Sequence, residues 1–209
     1  MGVLCPDRFT WCVWLILGMN TSERLTRNNW LETGLNLLAT EGEKALTIDR
    51  LCQVANRTKG SFYHHFKNRD EFINALLQYW QSEHTSRIIS TVEQLDDLNE
   101  RRQKLDRLAA SLDSQIERAI RNWACGDERV QQALKSVDEK RINYLAKLIG
   151  ELGQHNEDVA FELAIVEYAT FVGLQYLFPN ADPVWMERIA HRATQVTSSF
   201  SERDPDASL

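Results

Sequence analysis

Proline and glycine are scarce, at four and nine among 209 residues. Chains made of many short strands need turn residues more often, so this shortage favours long helices. Cysteine is sparse too: Cys5, Cys12, Cys52 and Cys125 lie far apart, with no CxxC pair and no metal-ligand spacing. That argues against a disulfide framework and a thiolate metal site, and it suits a reducing, cytoplasmic location. The sequence has no HExxH, no Gly-rich phosphate loop and no nucleophile motif. His155 and His191 stand isolated, and the adjacent His64 and His65 would point about 100° apart on a helix, which is not ligand geometry. No metal, no cofactor and no enzymatic role are expected.

A long apolar run is missing as well. The stretch "FTWCVWLILG" near the N-terminus is about half of the roughly 20 residues that a bilayer crossing needs. It has no basic n-region and no AxA-like cleavage site, so it is a poor signal peptide. Met19 follows, and "MNTSERLTRNNW" reads as an ordinary start. Residues 1–20 are therefore set aside as an extra segment, with Met19 as the expected start. An apolar arm packed on the body, or a weak membrane contact, is the other reading.

Basic charge is also in deficit, with a formal net charge of −6. The exception is the window from Lys44 to Arg69. It holds six Lys/Arg and one acid, Asp49, and so carries +5 and leaves −11 for the rest. An anion-binding module on an acidic body has this asymmetry.

What is present is helical periodicity. Leu31, Leu35 and Leu38 share a face in residues 22–41, and Gly42 ends that helix. Thr47 can cap a two-turn helix carrying Ile48, Leu51, Cys52 and Ala55. Asn56 tolerates left-handed backbone, and Thr58 can cap a second short helix from Lys59. Asn68 and Glu71 begin a long helix with Phe72, Leu76, Leu77, Tyr79 and Trp80. Leu105, Leu108, Leu112, Ile116 and Ile120 mark one further helix, ending near Gly126. Helices are also expected over 127–152 and 157–178, and from Asp182-Pro183 to about Phe200. The fold class is all-α, with three parts and a tail. Residues 21–67 form a helix-turn-helix module, 68–200 a larger helical domain entered by a linking helix, and 201–209 a flexible tail.

The segment "TKGSFYHHF", residues 58–66, concentrates the chemistry. With Thr58 as cap, Phe62 and Phe66 share one face, and Gly60, Ser61 and His64 lie opposite. Two short helices on a tight turn, the second offering small and polar groups, suit a DNA major groove. Lys59 and Ser61 are placed to reach base edges. Thr47, Thr58, Tyr63, His64, Lys67 and Arg69 supply donors for phosphates, beside the free N–H groups of the helix start. Taken alone, a short amphipathic helix with a basic edge is also common as a solvated surface element.

These residues resemble the TetR-type transcriptional regulators. The match runs from about Arg24 to Leu77, through "TRNNWLETGLNLLATEG" and "LTIDRLCQVANRTKGSFYHHFKNRDEF". A looser likeness covers "RNWACGDERVQQALKSVDEKRINYL". The resemblance implies a homodimer on a pseudo-palindromic double-stranded DNA operator, with a small-molecule effector in the C-terminal domain. It also implies that the last two helices pair into a four-helix interface. Lys59, Gly60, Ser61 and His64 would face the groove, while Thr47, Thr58, Tyr63 and Arg69 would hold phosphates. The turn departs from the family's usual A-G-V: it reads Ala55-Asn56-Arg57. Arg57 then either reaches outward to DNA or loosens the module.

Residues 157–178 are too apolar for a surface helix. Phe161, Ile165, Tyr168, Val172 and Tyr176 fit a two-fold interface, with a central core helix as the alternative. Trp123, Tyr144 and Phe171 are pocket candidates by aromatic content only. Two other functions fit the same pattern: an activator rather than a repressor, or a helical interaction protein whose DNA module is degenerate.

Overall fold

The computed structural model describes residues 25–201. The expectations for residues 1–20 and for the tail beyond Ser201 lie outside these. Helix α1 (Arg27–Glu41) starts at Thr26, whose hydroxyl accepts from Asn29 N while Asn29 Oδ1 accepts from Thr26 N. It stops at Gly42, with φ 79°, a left-handed value that glycine adopts without a Cβ clash. Helices α2 (Ile48–Val54) and α3 (Lys59–Tyr63) are capped by the hydroxyls of Thr47 and Thr58. Between them Asn56 takes φ 50°, and Arg57 N donates to Cys52 O to close the turn (2.9 Å).

Helix α4 (Arg69–Gln81) is capped by Asn68, whose Oδ1 accepts from Glu71 N (2.8 Å). It runs into a π-helical turn at Ser82–Ser86 and then α5 (Arg87–Val92). Such a turn holds one residue more than an α-turn and is frequent at functional sites. The body follows as α6 (Leu98–Ser111), α7 (Ser114–Ala124), α8 (Glu128–Gly153), α9 (Glu157–Leu177) and α10 (Pro183–Ser201). No strand occurs among the described residues.

One expectation is corrected here. The single helix read through Leu105 to Ile120 is two helices, α6 and α7. Leu112 is extended (ψ 144°), and Asp113 caps the new start by accepting from Gln115 N (2.8 Å). The apolar spacing runs across the break although the two parts pack differently: Leu105 and Leu112 line the cavity, while Ile116 and Ile120 enter the N-terminal core.

One buried cluster runs from Leu25 and Trp30 through Phe62, Phe66, Phe72 and Trp80 into α7 and the first half of α8. Gly34 lets α1 and α4 cross closely: a Cβ there would lie 2.6 Å from Phe72 Cζ. A smaller cluster around Ile149, Ala160 and Ala164 joins α8 to α9.

Candidate nucleic-acid interface

Helix α3 is fixed from behind by aromatic packing. Phe62 and Phe66 are buried, and Phe62 meets Trp30 edge-on (5.5 Å, 89°) and touches both Phe66 and Phe72. Phe66 meets Phe72 edge-on in turn, with Arg27 over its other side. Offset and edge-on ring pairs of this kind add to the burial energy. His65 Nε2 lies 2.8 Å from Leu25 O, which ties the end of α3 back to the start of the described chain.

The opposite side is open. Thr58, Lys59, Gly60, Tyr63, His64 and Lys67 are exposed, and Ser61 is half-buried. Helix α3 proper ends at Tyr63, but His64 keeps helical dihedrals as its cap, and Phe66 N still donates to Phe62 O. A Cβ at Gly60 would meet only Thr58 Oγ1, at 3.7 Å. Nothing inside the protein requires glycine there.

Besides Thr58, the cap of α3, four of the predicted residues have side-chain hydrogen bonds or ion pairs within the chain. Lys59 Nζ lies 2.6 Å from Asp49 Oδ1, a pair that is exposed on both sides and therefore worth little. Thr47 caps α2 by accepting from Arg50 N (3.2 Å). Arg69 Nε donates to Leu46 O (2.6 Å), so part of its guanidinium braces the loop before α2. Arg57 is half-buried, and its Nη1 donates to Asn56 O (3.0 Å).

Behind this module lies a cavity of about 110 Å³. The π turn supplies His84 and Thr85, and α5 supplies Ile88 and Ile89. Helices α6, α8 and α9 add Leu105, Leu145 and Phe171, and α10 adds Met186. Tyr144 and Phe171 are on its wall. Trp123 is not: it is buried in the N-terminal cluster, where α7 packs against α1. Tyr168 is likewise displaced from the outward set. Its hydroxyl donates to Asp138 Oδ1 (2.6 Å) and accepts from Arg121 and Arg141, so a polar tip turns the ring inward. Burial, and Asp138 behind it, push the Tyr168 phenol up to about 12 against the opposing pull of Arg141 and Arg121.

The polar wall of the cavity was not legible in the sequence. Arg141 donates to Glu117 through both Nη atoms, from Nε to Thr85 Oγ1, and also to His84 O and Tyr168 OH. Trp80 Nε1 donates to the same Glu117, whose other neighbour is His84 Nδ1 at 3.0 Å. Burial alone would raise the Glu117 carboxyl, but Arg141 and His84 hold it far below the usual carboxylate range. A second knot joins Arg102 to Asp106, Glu167 and Thr194. Among the described residues no three His, Cys, Asp or Glu side chains are grouped to hold a metal ion, and no helix is long and apolar enough to cross a membrane.

Residues 31–76 match the model of the bacterial regulatory proteins, tetR family. No curated protein is similar enough to count as a match. Among solved structures, a TetR-family transcriptional regulator from Streptomyces coelicolor is 15% identical with a TM-score of 0.66, covering 90% of this chain and 94% of its own. A TetR transcriptional regulator from Legionella pneumophila is 17% identical with a TM-score of 0.64, covering 85% and 97%. The fatty acid degradation regulator FadR from Bacillus halodurans is 12% identical with a TM-score of 0.63, covering 82% and 94%. At these identities the structures speak for the fold, and the family match covers the N-terminal module. Residues 31–76 thus carry the N-terminal module of the bacterial regulatory proteins, tetR family, in a chain whose fold is that of the tetR-family structures.

Proposed function

We propose that this protein is a ligand-responsive transcriptional repressor that binds a pseudo-palindromic operator as a homodimer. Residues 21–67 are its DNA module, and 68–200 its effector and dimerisation domain. One observation carries the reading: α3 turns a small, polar, exposed face outward on a rigid aromatic base, and its glycine has no internal purpose. A backbone without a Cβ lets a base edge or phosphate come close. Lys59 and Ser61 then read bases, while Thr58, Tyr63, His64 and Lys67 hold phosphates. The exposed Lys59–Asp49 pair is weak enough to open on contact with DNA.

The dimer reading rests on α9. Phe161, Ile165 and Tyr176 are each more than 40% exposed in the single chain. Ala169 and Gly173 lie between them on the same side, small enough for close helix approach, and Val172 is half-buried. A contiguous apolar stripe of this kind marks an interaction surface.

Coupling between cavity and DNA module runs along α4. Its first turn adjoins α3, and its last turn carries Trp80, bonded to Glu117. The following π turn is held by Arg141 through Thr85 and the His84 carbonyl. A ligand that fits one arrangement of this turn better than another shifts the dimer between DNA-competent and released forms.

Selection of bound DNA from a random pool tests the proposal. The expected product is a pair of inverted half-sites, whose symmetry also reports the dimer. Lys59→Ala should then lose about 1–3 kcal/mol and relax preference at one position, while Tyr63→Ala weakens all sequences alike. Recovery of no preferred sequence at physiological salt would contradict the reading and favour an interaction protein. Gly60→Ala separates function from folding. It should stabilise the free protein by about 0.5–1 kcal/mol yet lose about 1–3 kcal/mol of operator binding. Undiminished binding would show that the face is not pressed against DNA.

A further inference from the structure

One acid stands in the basic window, and its contacts give it a part in reading DNA. This deepens the proposed reading of α3 as the recognition helix and rests on it. From Lys44 to Arg69 there are six Lys/Arg and a single carboxylate, Asp49. A carboxylate at a surface that meets phosphates works against binding, because like charges repel. It helps only where DNA offers a donor, and in the major groove the donors are cytosine N4 and adenine N6.

Two acids cover cations on this module, and they do so differently. Glu41, at the end of α1, accepts from Arg50 Nε (2.9 Å) and Nη2, while Arg50 Nη1 donates to Gln53 Oε1 (2.7 Å). All three nitrogens of that guanidinium are engaged, so Arg50 braces α2 against α1. Asp49 meets Lys59 by one contact, Oδ1 to Nζ at 2.6 Å. The side chains of Lys59 and Asp49 are 58% and 76% exposed, against 37% and 38% for Arg50 and Glu41. Asp49 holds the Lys59 ammonium above its ordinary value by this hydrogen bond and by its charge, against desolvation, and Tyr63 and Cys52 add to the effect. The two heads thus lie in solvent at the junction of α2 and α3. Of the two pairs, this is the one that can exchange partners.

A donor beside an acceptor is also what a base pair shows in the major groove. G·C presents the guanine acceptors N7 and O6 next to the cytosine N4–H₂ donor. O6 and N4 share a hydrogen bond and so stand about 2.9 Å apart, close to the 2.6 Å between Lys59 Nζ and Asp49 Oδ1. The exchange therefore takes little movement: the ammonium turns its donors to guanine, and the carboxylate accepts from N4. A T·A pair has the same order but fits less well. It gives the ammonium one acceptor, O4, beside the C5-methyl group, and it sets adenine N7 next to the donor, where it repels a carboxylate. From this match of spacing and polarity we infer that Asp49 is a specificity-determining residue. With Lys59 it reads one G·C pair in each half-site, the lysine on guanine and the aspartate on cytosine. Asp49 also stands in the first turn of α2, where a carboxylate favours the helix. That role alone would weaken all sequences alike, whereas reading a base changes the preference at one position.

The test is selection of bound DNA from a random pool with the full chain and its variants, followed by competitive titration of every base pair at each selected position. Wild type should recover a G·C pair at one position of each half-site. Asp49→Ala should lower the preference for that pair by about fivefold or more and leave the other positions as they were. Lys59→Ala should relax the same position. Asp49→Asn should turn it towards T·A, because an amide meets adenine with both a donor and an acceptor. Unchanged preference in both Asp49 variants would overturn the inference and leave the DNA reading standing. So would relaxation at a position that Lys59→Ala leaves intact, or an equal loss on all sequences, which would assign Asp49 to the support of α2. A wild-type pool with no preferred sequence would remove the DNA reading and this inference with it.

Discussion

Replacing Arg141 by methionine is expected to destabilise the protein by about 3–5 kcal/mol, the usual result of removing one partner from a buried pair. Glu117 is 1% exposed. Without the guanidinium it keeps only Trp80 Nε1 and His84 as polar neighbours, and burial, which raises its pKa, is no longer outweighed. The loss is greater than the pair's own net worth, because it includes the stranded carboxylate. Adding Glu117→Gln to the variant should therefore recover part of it, a coupling that a double-mutant cycle in urea measures.

The pH dependence has a definite sign. In the native protein the Glu117 carboxyl is held below its unfolded value, near 4.3 for a free glutamate. Its contribution is thus fully present above that value and is lost as pH falls towards the folded one. In Arg141→Met the same carboxyl is raised by burial, so protonation relieves it. The gap between the two proteins should be widest near neutrality and close with acidification. Denaturation midpoints that coincide at neutral pH would show that this pair is not buried in solution.

Phe62→Ala is the second large effect, at about 3–5 kcal/mol for a fully buried phenylalanine. Trp30, Phe66 and Phe72 all lie against this ring, and three rings cannot collapse into the space without leaving their rotamers. The damage should concentrate in α2 and α3, which are short and depend on packing more than on their own hydrogen bonds. Amide exchange should rise across residues 48–66 well before it rises in α8 and α9. Phe62→Leu keeps most of the volume and should lose less, about 1–1.5 kcal/mol. Operator binding should follow the same order, because Phe62 is the ring that seats α3 against Trp30 and Phe72. Wild-type stability in Phe62→Ala would mean that the ring is not the base of the recognition helix.

The short helix was readable because its signals are local. Thr58, Gly60 and Phe62 act within one turn: a hydroxyl caps, a missing Cβ opens a face, and a ring four residues from its neighbour shares a side. The same holds for Thr47, Asn56, Asn68 and Gly42, whose caps and turns stand where the residue types placed them. The break at Leu112 was missed because apolar spacing outweighed the Ser-Leu-Asp-Ser signal beneath it. The π turn gives no sign in composition at all.

Sequence alone determined the helical class, the chain order of the helices and the polar set displayed between Thr58 and Lys67. Each of these follows from propensities and caps that operate over a few residues. Tertiary structure alone decided the cavity, the inward turn of Tyr168, the removal of Trp123 to the N-terminal core and the two arginine knots. Arg141 meets Glu117 across 24 positions, and Arg102 meets Glu167 across 65. In the sequence these charged residues look like solvated helix faces. Only the packing of α6 to α10 takes them out of water, and only then must each charge find its counterpart.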